Sequence, residues 1–412
     1  MKNAARLFSA VKTSLSLQIL LAVGIGILLV TLYPAGELKG FSEIGKAIIH
    51  WVKLIAGPFL FLTIVASMIE VQMSSNHALR LISIALTNTA IAIVIGMGLA
   101  HLFLGDIRIE SLSFGNEAVR IPEISIGFSA WIKTFMPTSF FGPFVQNEIL
   151  LIAVLALLTG LALRKAYAKE GPKKLRAIAQ IFEELRKVPE IILRWIIQII
   201  PVAVLTVVAG AVSEHGFKIF FTLAQYVGVV LLGFILQIVF VYGTWIFGVA
   251  KIKARVFFRE AKAPVSYAFG VNSSLATLPL TLKALKNMGV SDRSASLGAG
   301  VATNLNNDGI VLYEAMAVFF IAQVMNIPMT DTQMITAAIA CIVASMGITG
   351  IPEAGFISLS VVVSTLGLPV EMLPLLLAVD WMIARGRSVV NVLSDMVLSI
   401  AMDATEKKTG SA

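Results

Sequence analysis

A chain of 412 residues in which 58% are hydrophobic and only 14% charged carries more apolar surface than a water-soluble domain can hide, so lipid is expected to be the solvent for much of it. The net charge of +8 does not signal nucleic acid, because the basic residues sit in short clusters between apolar runs and not on one module. The single cysteine, Cys341, lies inside an apolar stretch, which excludes an internal disulfide and reads as a small buried residue.

Lys2, Arg6 and Lys12 precede a first apolar run over residues 14–34, which is about as long as a bilayer is thick and lacks a small-residue cleavage site. It is therefore expected to be a retained span and not a signal peptide. Further runs long enough to cross occupy residues 51–74, 81–105, 143–163, 195–213 and 219–250. Lys165, Lys169, Lys173, Lys174 and Arg176 fill one connection, and Lys251, Lys253, Arg255, Arg259 and Lys262 another, whereas residues 36–42, 106–137 and 214–218 are poorer in base or carry acids. The positive-inside rule then predicts a multi-pass protein of the cell membrane with cytoplasmic termini.

From about residue 255 the apolar stretches are broken by Gly, Pro, Ser and Asn. VNSSLATLPLTL at 271–282 and SMGITGIPEAGFIS at 345–358 place such clusters in the middle of hydrophobic sequence. Open backbone at membrane depth is tolerated only where protein or a water-filled cavity surrounds it. Two matched interruptions point to a transporter's substrate site, where helix N-termini face an anion, although Pro-kinked ordinary spans are the alternative.

The last apolar segment carries Asp380, Arg385, Arg387, Asn391 and Asp395. With Ala384, the residues Asp380, Arg387, Asn391 and Asp395 follow one another at steps of three or four, so on a helix they form one stripe. Charges at this depth must face a cavity or one another. The plainer alternative is mutual neutralisation of Asp and Arg. A second polar cluster, ATNLNNDG at 302–309, offers the oxygens of Thr303, Asn304, Asn306, Asn307 and Asp308, with Gly309 free to adopt unusual backbone angles. It suits a small hard cation, or else only satisfies a helix break. Phosphate-binding glycine loops, paired His ligands and a Ser-His-Asp set are missing from the sequence, so no enzyme is expected.

In order along the chain, SSLATLP at 273–279, NNDG at 306–309, GIPEAG at 350–355 and AVDWMIARGRSVVNVLSD at 378–395, together with PFLF at 58–61, resemble the dicarboxylate/amino acid:cation symporters, the glutamate transporter family. The resemblance implies an all-α membrane protein with eight transmembrane helices and two re-entrant helical hairpins, assembled as a homotrimer in the lipid bilayer. It implies helices 1 and 2 over residues 1–74 and helices 3 to 6 over 75–250. Hairpin 1, helix 7, hairpin 2 and helix 8 would form the substrate and cation site over 255–403, before a cytoplasmic tail at 404–412. The early helices would be a trimerisation scaffold and the later ones a moving transport domain, giving elevator-type alternating access.

Carried over by that resemblance, the substrate would be held by Ser273, Ser274 and Thr277 of the first hairpin tip, by Ile310 and Gly355, and by Asp380, Ala384, Arg387, Ser388 and Asn391. Arg387 would pair with an acidic group of the substrate through two parallel hydrogen bonds. Asn306, Asn391 and Asp395 match one family sodium site, and Thr89, Asn306 and Asp308 another. The carbonyls of Ser345 and Ile348 with Asn304 match a third, and Ala302 belongs to the same cation-binding stretch. Arg385 with Asn272 resembles the arrangement of animal members. The cation expected is Na+, with H+ as the alternative.

The chain departs from the family pattern at informative places. NMDGT reads NNDGI, a tyrosine lining one cation site is Ala85, and the aspartate that receives the substrate's amino group is Ala384. A buried ammonium without an acid is heavily penalised. The expected substrate is accordingly a small anion of the C4-dicarboxylate type. An acidic or neutral amino acid, proton coupling and an anion channel are the alternatives.

Overall fold

The computed structural model describes residues 15–33, 41–70, 75–105, 139–146, 148–167, 170–301, 303, 306–346 and 354–409. The described residues form helices and their connections, with no strand among them. Helices α1 (Leu15–Leu32), α2 (Phe41–Glu70) and α3 (Ser75–Leu104) follow the first three apolar runs. The run at 143–163 is divided into a short α4 (Gly142–Gln146) and α5 (Ile149–Tyr167).

Helix α6 (Pro172–His215) shows where hydropathy alone falls short. Its 44 residues extend about 66 Å, twice the thickness of a hydrocarbon core, yet the apolar run marks only its second half. Lys173, Lys174 and Arg176, expected in a loop, lie in its first turns. The polar half is helical because its charges pair one turn apart: Arg186 with Glu183 at 2.9 Å and with Glu190 at 3.2 Å, and Arg194 with Glu190 at 2.7 Å. Gly171, at φ 95°, and Pro172 start this helix, and Gly216, at φ 65°, ends it.

Helix α7 (Lys218–Leu236) continues without a break into π-helical turns at Gln237–Tyr242 and Thr244–Val249. The expected basic connection after it is short, since α8 (Ala254–Val271) already contains Arg255, Arg259 and Lys262. Helices α8 and α9 (Ser274–Asn287) pack on each other as a hairpin. After a single turn, α10 (Asp292–Ala295), and a π-helical turn at Ser296–Val301, the chain leaves helical geometry around Asn306 and Asn307. It resumes as α11 (Asp308–Val324). Helices α12 (Asp331–Ser345) and α13 (Ala354–Thr365) pack against each other. Of the second hairpin tip expected at 347–355, residues 347–353 lie outside the described residues. The last helix, α14 (Leu373–Thr409), carries the whole polar stripe.

Packing gathers these helices into two groups that meet where α14 lies on α6 and α13 on α2. Helix α6 lies along α2 and α1, and α5 lies on α2. Helices α3, α7 and α11 pack together and on α14, the pair α8/α9 packs on α14, and α12 and α13 pack on α11, with α13 also reaching α14. Among the described residues five helices are long and apolar enough to cross a membrane, but they are wrapped to different degrees. The crossing window of α14 is 83% buried within the protein, that of α1 only 17%. Charges on α14 are therefore shielded by protein, while Leu54, Leu102, Trp195 and Phe221 on the outer helices leave apolar surface uncovered by the chain.

Candidate functional site

Helix α14 brings Asp380, Ala384, Arg387, Asn391 and Asp395 onto one buried face. Asp380 and Arg387, two turns apart, form a bidentate pair, Nη1 to Oδ1 at 3.0 Å and Nη2 to Oδ2 at 3.3 Å. The guanidinium also lies 4.7 Å from the centre of the Tyr313 ring on α11. Gly355, in the first turn of α13, closes over it: a Cβ there would stand 2.2 Å from Arg387 Cζ. Backbone can approach the guanidinium this closely only because no side chain intervenes.

One turn further, Gly309 donates its N–H to Asn391 Oδ1 at 2.9 Å. A Cβ on Gly309 would fall 2.6 Å from the Arg387 carbonyl oxygen, so the break before α11 is seated directly on α14. Ile310 follows it, buried. Ser388 donates to Asn272 Oδ1 at 2.7 Å, which ties α14 to the tip of the α8/α9 hairpin. Asn272 adopts the left-handed conformation, φ 56° and ψ 43°, that ends α8 and lets the chain turn back. Ser273 caps α9 by accepting the Ala276 N–H, and the buried Thr277 hydroxyl donates to the Ser273 carbonyl. Ser274 is half-buried at this tip. Arg385 does not join the tip: its Nη1 donates to the Trp381 carbonyl on its own helix, at 2.6 Å.

The two carboxylates expected to hold cations differ. Asp395 Oδ2 accepts from Thr303 at 2.9 Å, but its Oδ1 has no hydrogen-bond partner among the described residues. Asn306 lies beside it, fully buried, close enough for its amide to interact with the carboxylate, yet neither its Oδ1 nor its Nδ2 makes a hydrogen bond of good geometry among those residues. This pocket of buried oxygens fits a hard cation, and no grouping of three or more His, Cys, Asp or Glu occurs among the described residues to suit another metal. Asp308, by contrast, is surrounded by donors. Thr89 reaches its Oδ1 at 2.9 Å, while Ser394 at 2.6 Å, Tyr242 at 3.0 Å and Gln237 at 3.5 Å reach its Oδ2.

Ser345, buried at the end of α12, has its carbonyl occupied by the Asn307 amide at 2.9 Å. Ala302, Asn304 and Ile348 lie outside the described residues. Sequence reasoning missed Gln237, Tyr242, Tyr313 and Ser394. A glutamine within the apolar run 219–250 was the one available signal for the first of these. It also missed Glu314, fully buried on α11, whose two oxygens have no bonded partner of good geometry among the described residues.

Broken helices meeting at a buried charged stripe, inside a shell of lipid-facing helices, define a multi-pass helical membrane transport protein. The family model described as "Sodium:dicarboxylate symporter family" matches residues 15–405, and the chain belongs to that family. It is 26% identical to C4-dicarboxylate transport protein 1 of Polaromonas naphthalenivorans, covering 94% of this chain and 86% of that one. It is 27% identical to the C4-dicarboxylate transport protein of Cupriavidus taiwanensis, covering 96% and 92%. Similarity to human excitatory amino acid transporter 1 reaches 35% but covers 53% of this chain and 41% of that longer one.

Proposed function

We propose that the protein is a sodium-coupled symporter of a C4-type dicarboxylate, working as a homotrimer by elevator-type alternating access. In this reading eight helices span the membrane, the hairpins α8/α9 and α12/α13 re-enter it from opposite sides, and both termini are cytoplasmic. Ser273, Ser274 and Thr277 face one end of the substrate, and Arg387, Ser388 and Asn391 the other. Gly355 shapes the cover over Arg387, and Asp395 with Asn306 and Asn391 holds a sodium ion.

The observation that carries this reading is the state of the acids around Arg387. An amino-acid substrate would bring an ammonium needing its own carboxylate. The position one turn from Arg387 is Ala384, which is buried, and the nearest acid on the stripe, Asp380, is engaged with both Nη atoms of Arg387. The pocket thus offers a substrate carboxylate a guanidinium that would exchange part of its Asp380 pairing for it, and offers an ammonium no nearer acid on the stripe than the one already paired. The full-length likeness to proteins named as C4-dicarboxylate transporters points the same way.

The test is uptake into proteoliposomes under an imposed sodium gradient, comparing succinate and malate with L-aspartate in the native protein and in Ala384→Asp. Concentrative, sodium-dependent uptake of succinate is expected, with a gain of L-aspartate uptake in the variant. Equilibration without accumulation would indicate a channel, and native preference for L-aspartate with no gain from Ala384→Asp would defeat the substrate assignment.

A further inference from the structure

We infer that Asp308 binds no cation in this protein and that its carboxylate is satisfied by protein hydrogen-bond donors instead. The inference rests on the sodium coupling proposed above and narrows it: of the two carboxylate pockets, only that of Asp395 takes an ion.

The two pockets have opposite polarity. A cation shell needs lone pairs aimed at one point, and around Asp395 the unbonded atoms include the oxygens Asp395 Oδ1 and Asn306 Oδ1. Around Asp308 the groups aimed at the carboxylate, three hydroxyls and one amide nitrogen, are already hydrogen-bonded to it. A carboxylate accepts at about four positions, and four side chains from three other helical segments converge on this one. The Ser394 contact of 2.6 Å has the length of a hydrogen bond to a charged acceptor. The Gln237 amide turns its Nε2 inward, where it also faces the Asn88 carbonyl at 3.4 Å, while its buried Oε1 has no partner among the described residues. A cation entering here would have to break these four hydrogen bonds, and the Gln237 Nε2, which has no lone pair to offer it, would be left buried without its carboxylate partner.

The backbone is shaped to deliver these donors. Gln237 and Tyr242 are five residues apart, which on an α-helix would turn them about 140° away from each other. The π-helical turn at Gln237–Tyr242, with its i→i+5 spacing, swings both onto the side facing Asp308. Trp245, in the next π-helical turn, fixes the neighbouring helix by donating to Asn88 Oδ1 at 2.8 Å, one residue before Thr89 on α3. The donors on α3, on α14 and on the π-helical turn after α7 thus do together what a bound cation would do, which is to stabilise a carboxylate among apolar helices.

The experiment is sodium binding to the purified full chain, read as radioactive sodium bound per protomer at saturation and as the midpoint and Hill slope of a tryptophan-fluorescence titration. The Asp308→Asn variant is expected to bind the same number of ions as the native chain with a midpoint within about twofold, whereas Asp395→Asn loses one ion. One ion fewer in Asp308→Asn would overturn the inference. Should that variant fail to fold, Tyr242→Phe combined with Ser394→Gly decides the matter. Freeing Oδ2 of two donors should add about one bound ion and steepen the slope, and an unchanged count would overturn the inference. A native chain that binds no sodium at all would instead overturn the coupling itself, and the inference with it.

Discussion

Gly355 and Arg387 are two halves of one constraint. With the guanidinium 2.2 Å from where a Cβ would stand, Gly355→Ala must push Arg387 off its pairing with Asp380. Forced overpacking of this kind typically costs about 1–3 kcal/mol. Dicarboxylate affinity is therefore expected to fall by roughly ten- to a hundredfold, measured by equilibrium binding in saturating sodium. Gly228→Ala is the control, since nothing lies within 4 Å of a Cβ there; its affinity should equal the native one. Removing the guanidinium itself, in Arg387→Ala, should cost about 2–5 kcal/mol of binding to a substrate carboxylate, roughly thirtyfold or more. Unchanged succinate affinity in that variant would reduce Arg387 to a structural partner of Asp380.

The α8/α9 hairpin turns on Asn272, and its position against α14 depends on the Ser388 contact. These two demands can be separated. Asn272→Gly keeps the left-handed backbone but loses the 2.7 Å hydrogen bond, while Asn272→Val loses both. A β-branched residue in that conformation is strained by roughly 1–2 kcal/mol, so the thermal midpoint should fall in Asn272→Val and much less in Asn272→Gly. Equal melting of the two variants would show that the turn conformation contributes little. Helix α6 teaches the converse lesson about elements. Its polar half forms helix through paired charges that a hydropathy reading discards as loop, so the element was visible in the sequence only as a span half its real length.

In the proposed elevator cycle α3, α7, α11 and α14, which pack on one another, would move as a body against α2 and α6, which α13 and α14 touch. Within the first group, a Cβ on Gly96 would lie 3.2 Å from the Ala315 Cβ, close to disulfide reach. In a Cys341→Ala background, oxidised Gly96→Cys/Ala315→Cys should still transport, because α3 and α11 travel together. Loss of transport on oxidation, restored by reductant and with binding intact, would refute that grouping. The same coupling predicts that succinate at about a hundred times its dissociation constant stabilises the fold by roughly 2.7 kcal/mol in sodium, and not in choline. Equal shifts of the melting midpoint in both salts would exclude sodium-dependent binding.

The spacing of Asp380, Ala384, Arg387, Asn391 and Asp395, the interruption at Asn272–Ser273 and the break before Asp308 were all legible in the amino-acid sequence, because helical periodicity and breaking residues are local properties. So was the membrane setting, which composition alone requires. What the sequence could not reveal is which partner each buried polar group meets. Asp308 and Asp395 look alike along the chain, two acids in two polar clusters, yet one is hydrogen-bonded by three hydroxyls and an amide and the other keeps one oxygen unbonded beside the Asn306 amide. That distinction belongs to the tertiary structure, since Thr89 and Tyr242 reach Asp308 from helices 219 and 66 residues away in sequence. Hydrogen bonds of such range depend on how helices pack, and on a π-helical turn that no local composition announces.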